Sequence, residues 1–345
     1  MPYTLSLGQS PLGTPLAWQG GNGHIAILGQ SGQGKSVFLR HLIGQLPDQG
    51  IRCIVFDCAG DFRADALLPE HAAVKEVRRM LPPCPFRPLY VTPSYQETAG
   101  DTAARICGSI LDAYAFRGSA QPVRLRSAVT EFVKACGSDS GFDALIQWIQ
   151  SDKSRAARLE PSLIRLQDLA QLWSGSDAES HWDLDIPGIT VLQFDTVPDQ
   201  AAQRVLTELL LSVLWSEKLA SAGTCPLVVV LDECQRFSFQ EGSMLPRILR
   251  EGRKFGIHGW FASQWISRKP AALALEQAAL RVWFFPGEDH IRSLAKSLSA
   301  NAAQSERCLR LIRSLCVGRC LYRHSDGSLC TVCVPPSPDT GKPLC

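Results

Sequence analysis

Long hydrophobic runs, a strong net charge and a basic N-terminus are all missing from this 345-residue sequence. Its best apolar runs, such as Leu227–Leu231, span five residues, whereas a membrane-spanning helix needs about 20. No Lys or Arg precedes Lys35, so the N-terminus lacks the basic region of a signal or transit peptide. These absences predict a soluble, cytoplasmic protein with no membrane segment.

The charge balance and the scarcity of asparagine argue against two further classes of protein, those that bind nucleic acid through an overall basic surface and the GTPases. With 35 Lys and Arg against 33 Asp and Glu, the net charge is +2, so the chain has no basic coat for nucleic acid and allows only a local contact. The only asparagines are Asn22 and Asn301, and neither begins an NKxD motif. A GTPase is therefore not expected.

Cysteine is plentiful, with 13 residues, but the odd number and the chain length argue against a disulfide scaffold. Most are expected to be reduced, buried thiols. Cys316, Cys320, Cys330 and Cys333 form the one cluster in which a metal site is an alternative. The alternating segments around them predict a β-hairpin, which would place Cys330 and Cys333 on opposite faces of a strand and disfavour a zinc knuckle.

Apolar runs and helical patterns alternate along most of the chain and predict an α/β fold. Strands are expected near residues 24–28, 52–56, 89–92, 189–194, 227–231, 259–262 and 281–285, and helices near 37–46, 201–219 and 244–255. Continuous Val, Ile and Leu runs between helices are typical of a mainly parallel sheet covered on both faces. Residues 3–19 add a hairpin or an edge strand.

One stretch has only helical patterns, with helices expected near 101–116, 122–136, 141–150 and 161–173. Pro122 and Pro161 stand where first-turn prolines would. We therefore expect an α/β core at 1–100 and 175–334, an all-α insertion at 101–174, and a disordered, proline-rich tail at 335–345.

The strongest motif is Gly29-Gln30-Ser31-Gly32-Gln33-Gly34-Lys35-Ser36, a full match to the phosphate-loop pattern. It lies between a predicted strand and a predicted helix, where backbone N–H groups can bind a polyphosphate. Lys35 would reach the β- and γ-phosphates, and the Ser36 hydroxyl would ligate Mg²⁺. The motif predicts binding of a nucleoside triphosphate.

Two adjacent carboxylates, Asp232 and Glu233, follow the strand at 227–231. In a parallel sheet they would lie at the same edge as the phosphate loop. Asp232 is then expected to help hold Mg²⁺ and Glu233 to act as the general base on the attacking water. The alternative is that two acids merely terminate a strand.

Two further features have competing interpretations. Gln264 ends the strand at 259–262 and is either a sensor of the γ-phosphate or a polar strand cap. Arg247, Arg250, Arg253 and Lys254 lie on the helix before it. They either balance the helix dipole or present an arginine to the nucleotide of a neighbouring subunit.

In combination these motifs resemble the HerA/FtsK superfamily of P-loop ATPases, particularly its HerA-like and conjugative-ATPase branches. The resemblance rests on four motifs in the family's order, at residues 22–36, 54–62, 229–237 and 249–264. It implies a RecA-like core, a ring that is usually hexameric, and helicase-like ATP hydrolysis coupled to moving double-stranded DNA through the pore. By the same resemblance, Lys35 and Ser36 bind ATP and Mg²⁺, Asp232 and Glu233 serve metal and water, Gln264 senses the γ-phosphate, and Arg253 is the trans arginine finger.

The sequence also departs from that family. The 21 residues before Asn22 leave no room for the small N-terminal barrel of HerA proteins or for the membrane helices of FtsK and coupling proteins. The resemblance therefore predicts a minimal motor that serves a separate partner, such as a nuclease, a defence effector or a mobile-element protein. Two alternatives stay open: an ATP-gated scaffold ring for an effector, and a type IV secretion or conjugation ATPase.

Overall fold

The computed structural model describes residues 3–19, 23–62, 72–82, 84–114, 120–137, 139–173, 182–221, 225–264, 269–323 and 327–335. Asn22 and residues 336–345 of the predicted tail lie outside these ranges. The chain divides into two compact units. The first comprises Met1–Val74, Ile186–Val191 and Cys225–Cys345, and the second comprises Lys75–Asp185 and Leu192–Thr224.

Eleven of the described strands form one sheet. Its strands are β1 (Thr4–Gln9), β2 (Pro15–Gln19), β3 (Ile25–Leu28), β4 (Arg52–Asp57), β5 (Ala72–Glu76), β8 (Gly188–Gln193), β9 (Leu227–Leu231), β10 (Ile257–Ser263), β11 (Leu280–Trp283), β12 (Arg319–Arg323) and β13 (Leu329–Cys333). Their order is β2-β1-β13-β12-β11-β3-β10-β9-β4-β8-β5. Two short strands, β6 (Tyr90–Thr92) and β7 (Tyr95–Gln96), pair separately as an antiparallel hairpin.

The centre of the large sheet is parallel, from β11 through β3, β10 and β9 to β4. Strands β12, β13, β1 and β2 extend it in antiparallel order. The α/β prediction is confirmed, as are the hairpins expected at residues 3–19 and near the C-terminus. The strand expected near 89–92 does form, but as part of the separate hairpin. The central strands are buried on both faces, which explains their continuous Val, Ile and Leu runs.

Helices of the first unit cover both faces of this sheet. They are α1 (Lys35–Ile43), α7 (Met244–Glu251), α8 (Lys269–Leu275), α9 (Ile291–Leu298) and α10 (Ala302–Arg313). One hydrophobic core joins α1 to residues of β3, β4 and β10. A second core joins α9 and α10 to the opposite face around Trp283 and Leu321.

The described residues of the second unit form five α-helices: α2 (Ala99–Ala113), α3 (Ala120–Cys136), α4 (Phe142–Gln150), α5 (Lys153–Trp173) and α6 (Gln200–Ala220). Edge-to-face contacts among Phe86, Phe132, Phe142 and Trp173 form part of its core. The insertion boundaries at 101–174 stay a prediction. The second unit also contains α6, a helix that the sequence analysis assigned to the α/β core.

The expectation that Pro161 opens a helix is wrong, because α5 begins at Lys153 and Pro161 lies inside it. A proline there removes one helical hydrogen bond. The side chain of Gln121 packs beside this turn: its Nε2 donates to the carbonyl of Arg158 at 2.9 Å, and its Oε1 accepts from Ser162 Oγ at 3.3 Å. Contacts from α3 therefore reach the same turn of α5 that contains Pro161.

Within the described ranges, no helix is long and apolar enough to cross a membrane. No group of three or more His, Cys, Asp or Glu side chains is placed to hold a metal ion in that same part of the chain. Cys330 and Cys333 both lie on β13, and Cys316 precedes β12. No disulfide joins the described cysteines, and the described part of the chain gives no support to a metal site among Cys316, Cys320, Cys330 and Cys333.

Candidate nucleotide-binding site

The phosphate loop connects β3 to α1 and is fixed by the ends of two neighbouring strands. The Gly29 N–H donates to the Ser263 carbonyl at 3.2 Å, and the Gln30 N–H donates to the Phe285 carbonyl at 2.8 Å. Gly29 has a φ of 155°, and a Cβ there would lie 2.5 Å from Phe284 Cβ. Glycine is required at this position because the loop turns directly against β11.

Lys35 is the first residue of α1, and its side chain is only 5% exposed. Its ammonium group donates to the Gln30 carbonyl at 3.2 Å, which keeps it folded back over the loop. Burial lowers the pKa of Lys35, while the carboxylates of Glu233, Asp232 and Asp61 favour its charged form. The loop therefore carries a desolvated cation at the point where phosphates would lie.

The Ser36 hydroxyl lies between two carboxylates. Its Oγ is 2.9 Å from Asp232 Oδ2 and 3.0 Å from Asp61 Oδ2, yet one hydroxyl can donate only one proton. Burial raises the pKa of Asp232, and the hydrogen bond from Ser36 opposes that shift. This excess of acceptor oxygens fits an oxygen-liganded cation such as Mg²⁺.

Asp61 had no role in the sequence interpretation, although its motif was part of the family resemblance. Asp57, at the end of β4, accepts the backbone N–H groups of Gly60, Asp61 and Phe62 at 2.8–3.0 Å. These bonds fix the turn that brings Asp61 to Ser36. Only the motif match could have signalled the contact between Asp61 and Ser36, because it joins the turn after β4 to the start of α1.

Glu233 adopts a left-handed backbone conformation, with a φ of 53°, which is uncommon for a non-glycine residue and typical of functional sites. Its Oε2 accepts from Gln264 Nε2 at 3.3 Å and from Gln235 Nε2. Gln264 Nε2 also lies 3.0 Å from Ser31 Oγ in the phosphate loop. The predicted base and the predicted sensor are therefore in direct contact.

Gln235 is a functional residue that the sequence interpretation missed. Its side-chain oxygen accepts from the Ser263 hydroxyl while its nitrogen donates to Glu233. It thus fixes the Glu233 carboxylate to the end of β10. Its position two residues after Glu233 gives no spacing signal, because a short 3₁₀ turn at Cys234–Arg236 is what directs it back to the site.

Arg253 lies elsewhere. It is exposed and belongs to the turn Gly252–Phe255 before β10, whereas Ser263 and Gln264 lie at the end of that strand. Seven strand residues at about 3.3 Å each separate the two positions by roughly 20 Å. Its charge acts at the opposite edge of the sheet, where it helps to lower the pKa of buried His24.

The structure thus brings Lys35, Ser36, Asp232, Glu233 and Gln264 together around one loop and leaves Arg253 on the far edge. A buried lysine, a hydroxyl between carboxylates and a strand-end carboxylate held by two amides are the parts of a P-loop nucleotide site. The class of protein defined by this fold and site is the P-loop NTPases.

Comparison with known proteins agrees with that class. Residues 22–213 match the family model described as "Helicase HerA, central domain". This match covers more than half of the sequence, and the chain belongs to that family. No curated protein sequence matches the chain.

Solved structures resemble the whole chain in fold. VirB4 of Thermoanaerobacter pseudethanolicus is 14% identical, with a TM-score of 0.74 and coverage of 97% of each chain. The bacterial conjugative coupling protein TrwB in its sulphate complex is 15% identical, with a TM-score of 0.64 and coverage of 96% of this chain and 89% of its own. TrwB in complex with ADP and Mg²⁺ is 13% identical, with a TM-score of 0.60 and the same coverage. At these identities the likeness concerns the fold alone.

Proposed function

We propose that the protein is an ATP-hydrolysing ring motor of the HerA/FtsK type that translocates double-stranded DNA. The observation that carries the proposal is the convergence of Lys35, Ser36, Asp232 and Glu233 at one sheet edge. Membership of the HerA helicase family supports it. The likeness to TrwB, a conjugative coupling protein solved with ADP and Mg²⁺ and with an ATP analogue, supports ATP and Mg²⁺ as the cofactors.

The residues divide the chemistry between them. The loop N–H groups and the Lys35 ammonium bind and neutralise the phosphates, and Ser36 with Asp232 would hold Mg²⁺. When bound, Mg²⁺ supplies further neutralisation of phosphate charge. Glu233 takes the proton of the attacking water, and its orientation is fixed by Gln264 and Gln235.

The position of Arg253 supports a role in trans. Arg253 is too far from the phosphate loop of its own chain to contact a nucleotide bound there. Because its side chain is exposed, it can contact a nucleotide bound to another subunit. Among the residues with described side chains, none forms a hydrogen bond or ion pair with the Arg253 guanidinium. In the proposed homohexamer, Arg253 of one subunit completes the site of the next.

Duplex DNA is then held in the lumen of the ring. A chain of net charge +2 cannot bind DNA tightly by overall charge, so contacts repeated around the ring must supply the affinity. A separate protein, such as a nuclease, a defence effector or a mobile-element protein, gives the motor its task. The proposed cellular location is the cytoplasm.

The direct test is the variant Glu233→Gln. The amide keeps the shape of the side chain but cannot accept the proton, so kcat is expected to fall by at least about 10²-fold while ATP affinity, measured by calorimetry, is retained. Gln240→Glu, a change at an exposed position seven residues after Glu233, serves as the matched control. Unchanged kcat in Glu233→Gln would place the base elsewhere.

Subunit mixing tests Arg253. Arg253→Ala alone should bind ATP normally and hydrolyse it about 10³-fold or more slowly. Rings mixed from Arg253→Ala and Glu233→Gln subunits contain some interfaces with both wild-type residues, so partial activity should return. If mass spectrometry confirms mixed rings that stay inactive, Arg253 does not act in trans, and Arg250 becomes the next candidate.

A type IV secretion or conjugation ATPase is the second candidate, because the likeness to VirB4 extends over 97% of both chains. The ATP-gated scaffold ring is the third. Stimulation of ATP turnover by duplex DNA separates the DNA motor from both, and directed movement on DNA separates it from a scaffold. ATP turnover without any response to duplex DNA would favour the second candidate.

A further inference from the structure

A cavity of about 240 Å³ lies in the first unit, between the sheet and helices α8 and α9. Its walls are mixed. The apolar part is formed by Leu28 and Trp283 on the sheet and by Leu275, Leu294 and Leu298 on the helices, and the polar part includes Ser293 and Ser297 on α9. It lies on the sheet face packed by α9 and α10, whereas the apolar residues of α1 belong to the core of the other face. None of the groups assigned to nucleotide chemistry lines it.

Two arginines face each other inside this cavity. Strands β11 and β12 pair antiparallel with Val282 opposite Tyr322 and Trp283 opposite Leu321, and the same register places Arg281 opposite Arg323. Like charges directly opposite on neighbouring strands are destabilising. Both arginines are half-buried and line the cavity, so water cannot fully screen the repulsion.

Few protein groups balance these charges. Arg323 donates one N–H to the Leu298 carbonyl at 2.9 Å, and its buried Nε has no hydrogen-bond partner in the described chain. Arg281 lies 5.8 Å from the centre of the Trp283 ring. Burial and the charge of Arg323 both lower the pKa of Arg281, while Glu276 opposes them. Glu276 is exposed, and no carboxylate of the described residues forms a salt bridge with either guanidinium.

We propose that this cavity binds a small carboxylate carried on an apolar stem, with the carboxylate between Arg281 and Arg323. Planar guanidinium groups match a carboxylate in a two-pronged geometry, and the leucines and Trp283 would surround the stem. With Glu276 at the cavity, the net charge is +1, which matches a monoanion better than a doubly charged phosphate. The volume is below the roughly 300–1,000 Å³ of drug-sized ligand sites, so a nucleotide is too large.

The test uses the full chain and hexanoate as the probe, with binding followed by saturation-transfer NMR and titration. Saturable binding of hexanoate is expected, with much weaker binding of hexanol, which has the same stem without the charge. Arg281→Gln should lower the affinity for hexanoate by at least about tenfold, since a hydrogen bond to a charged group is lost. Arg292→Gln, an exposed arginine on α9 outside the cavity, should leave the affinity unchanged.

Two peptides distinguish the possible sources of such a carboxylate. A short peptide that ends in leucine with a free C-terminus should compete with hexanoate if the natural ligand is a chain end, and its C-terminal amide should not. If hexanoate binds but neither peptide displaces it, the natural ligand is a free acid. If Arg281→Gln does not fold, Arg323→Gln replaces it.

The proposal is overturned if hexanoate shows no saturable binding to the wild-type chain. It is also overturned if hexanol binds equally well, if hexyl phosphate binds more tightly than hexanoate, or if neither arginine variant changes the affinity. None of these measurements depends on ATP turnover, so their outcome is independent of the motor function.

Discussion

A single methyl group at Gly29 tests how the phosphate loop is held. A Cβ at this position would lie 2.5 Å from Phe284 Cβ, whereas carbon atoms pack at about 3.5–4.0 Å. Phe284 cannot withdraw easily, because its N–H donates to the Leu28 carbonyl at 2.7 Å and its ring packs on Phe38. Gly29→Ala must therefore push the loop away from β11 by about 1 Å.

The size of the effect follows from two costs. The backbone at φ 155° is unfavourable for alanine by about 1 kcal/mol, and overpacking costs about 1–3 kcal/mol. Together they lower the free energy of unfolding by about 2–4 kcal/mol, which a domain with about 5–15 kcal/mol survives. A 1 Å displacement of catalytic geometry can reduce turnover by about 10²-fold. Urea unfolding measures the first effect, and calorimetry with steady-state ATPase assays measures the second.

Gly32→Ala is the matched control within the same loop. Gly32 also has a positive φ, of 77°, but no atom of the described chain lies within 4 Å of its added Cβ. Only the backbone strain of about 1 kcal/mol is expected there. If both variants lose the same stability, or if Gly29→Ala binds ATP with wild-type affinity, contact with Phe284 does not determine the loop position.

Two further predictions concern the charged groups at opposite sheet edges. Lys35→Ala should abolish ATP binding in calorimetry, because no other loop group supplies a cation; wild-type affinity would refute the phosphate-loop assignment. His24 is 1% exposed, and burial, with His258 and Arg253, lowers its pKa from 6.5 to about 4. Its stabilising effect is therefore full above pH 6.5 and is lost as the pH falls toward 4. His24→Asn keeps an acceptor for the Gly259 N–H. Relative to this variant, the wild type should lose about 1 kcal/mol of unfolding free energy between pH 7.5 and 5.5; parallel pH profiles would contradict this.

The local features of the fold were predictable from sequence, and the contacts between distant segments were not. The phosphate loop and the Asp232-Glu233 pair are contiguous motifs that follow apolar runs, so their place at strand ends follows from the sheet. Pro161 lies inside α5, at a turn that Gln121 contacts from another helix, 40 positions away in sequence. Tertiary packing can hold a helix through a proline, and local propensity does not reveal that packing.

In the nucleotide site, too, single residues could be predicted from sequence but the contacts between them could not. Glu233 and Gln264 were each assigned roles from sequence, but their contact depends on β9 and β10 being neighbours in the sheet. Gln235 and Asp61 were missed because turns after the strands, not the strands themselves, bring them to the site. The facing of Arg281 and Arg323 depends on strand register, and a shift of one residue would place them on opposite faces.

The separation of Arg253 from the phosphate loop has a consequence for the proposed motor. Parallel strands give a sheet two different edges, and here one edge carries the loop and its carboxylates while the other carries Arg253 and His24. A monomer cannot bring the two edges together without unfolding β10, since the strand itself sets their distance. Head-to-tail packing of subunits meets this requirement by placing one edge of each chain against the other edge of the next. If Arg253 is the finger, hydrolysis therefore requires assembly, and ATPase activity per subunit should rise with protein concentration until rings are complete.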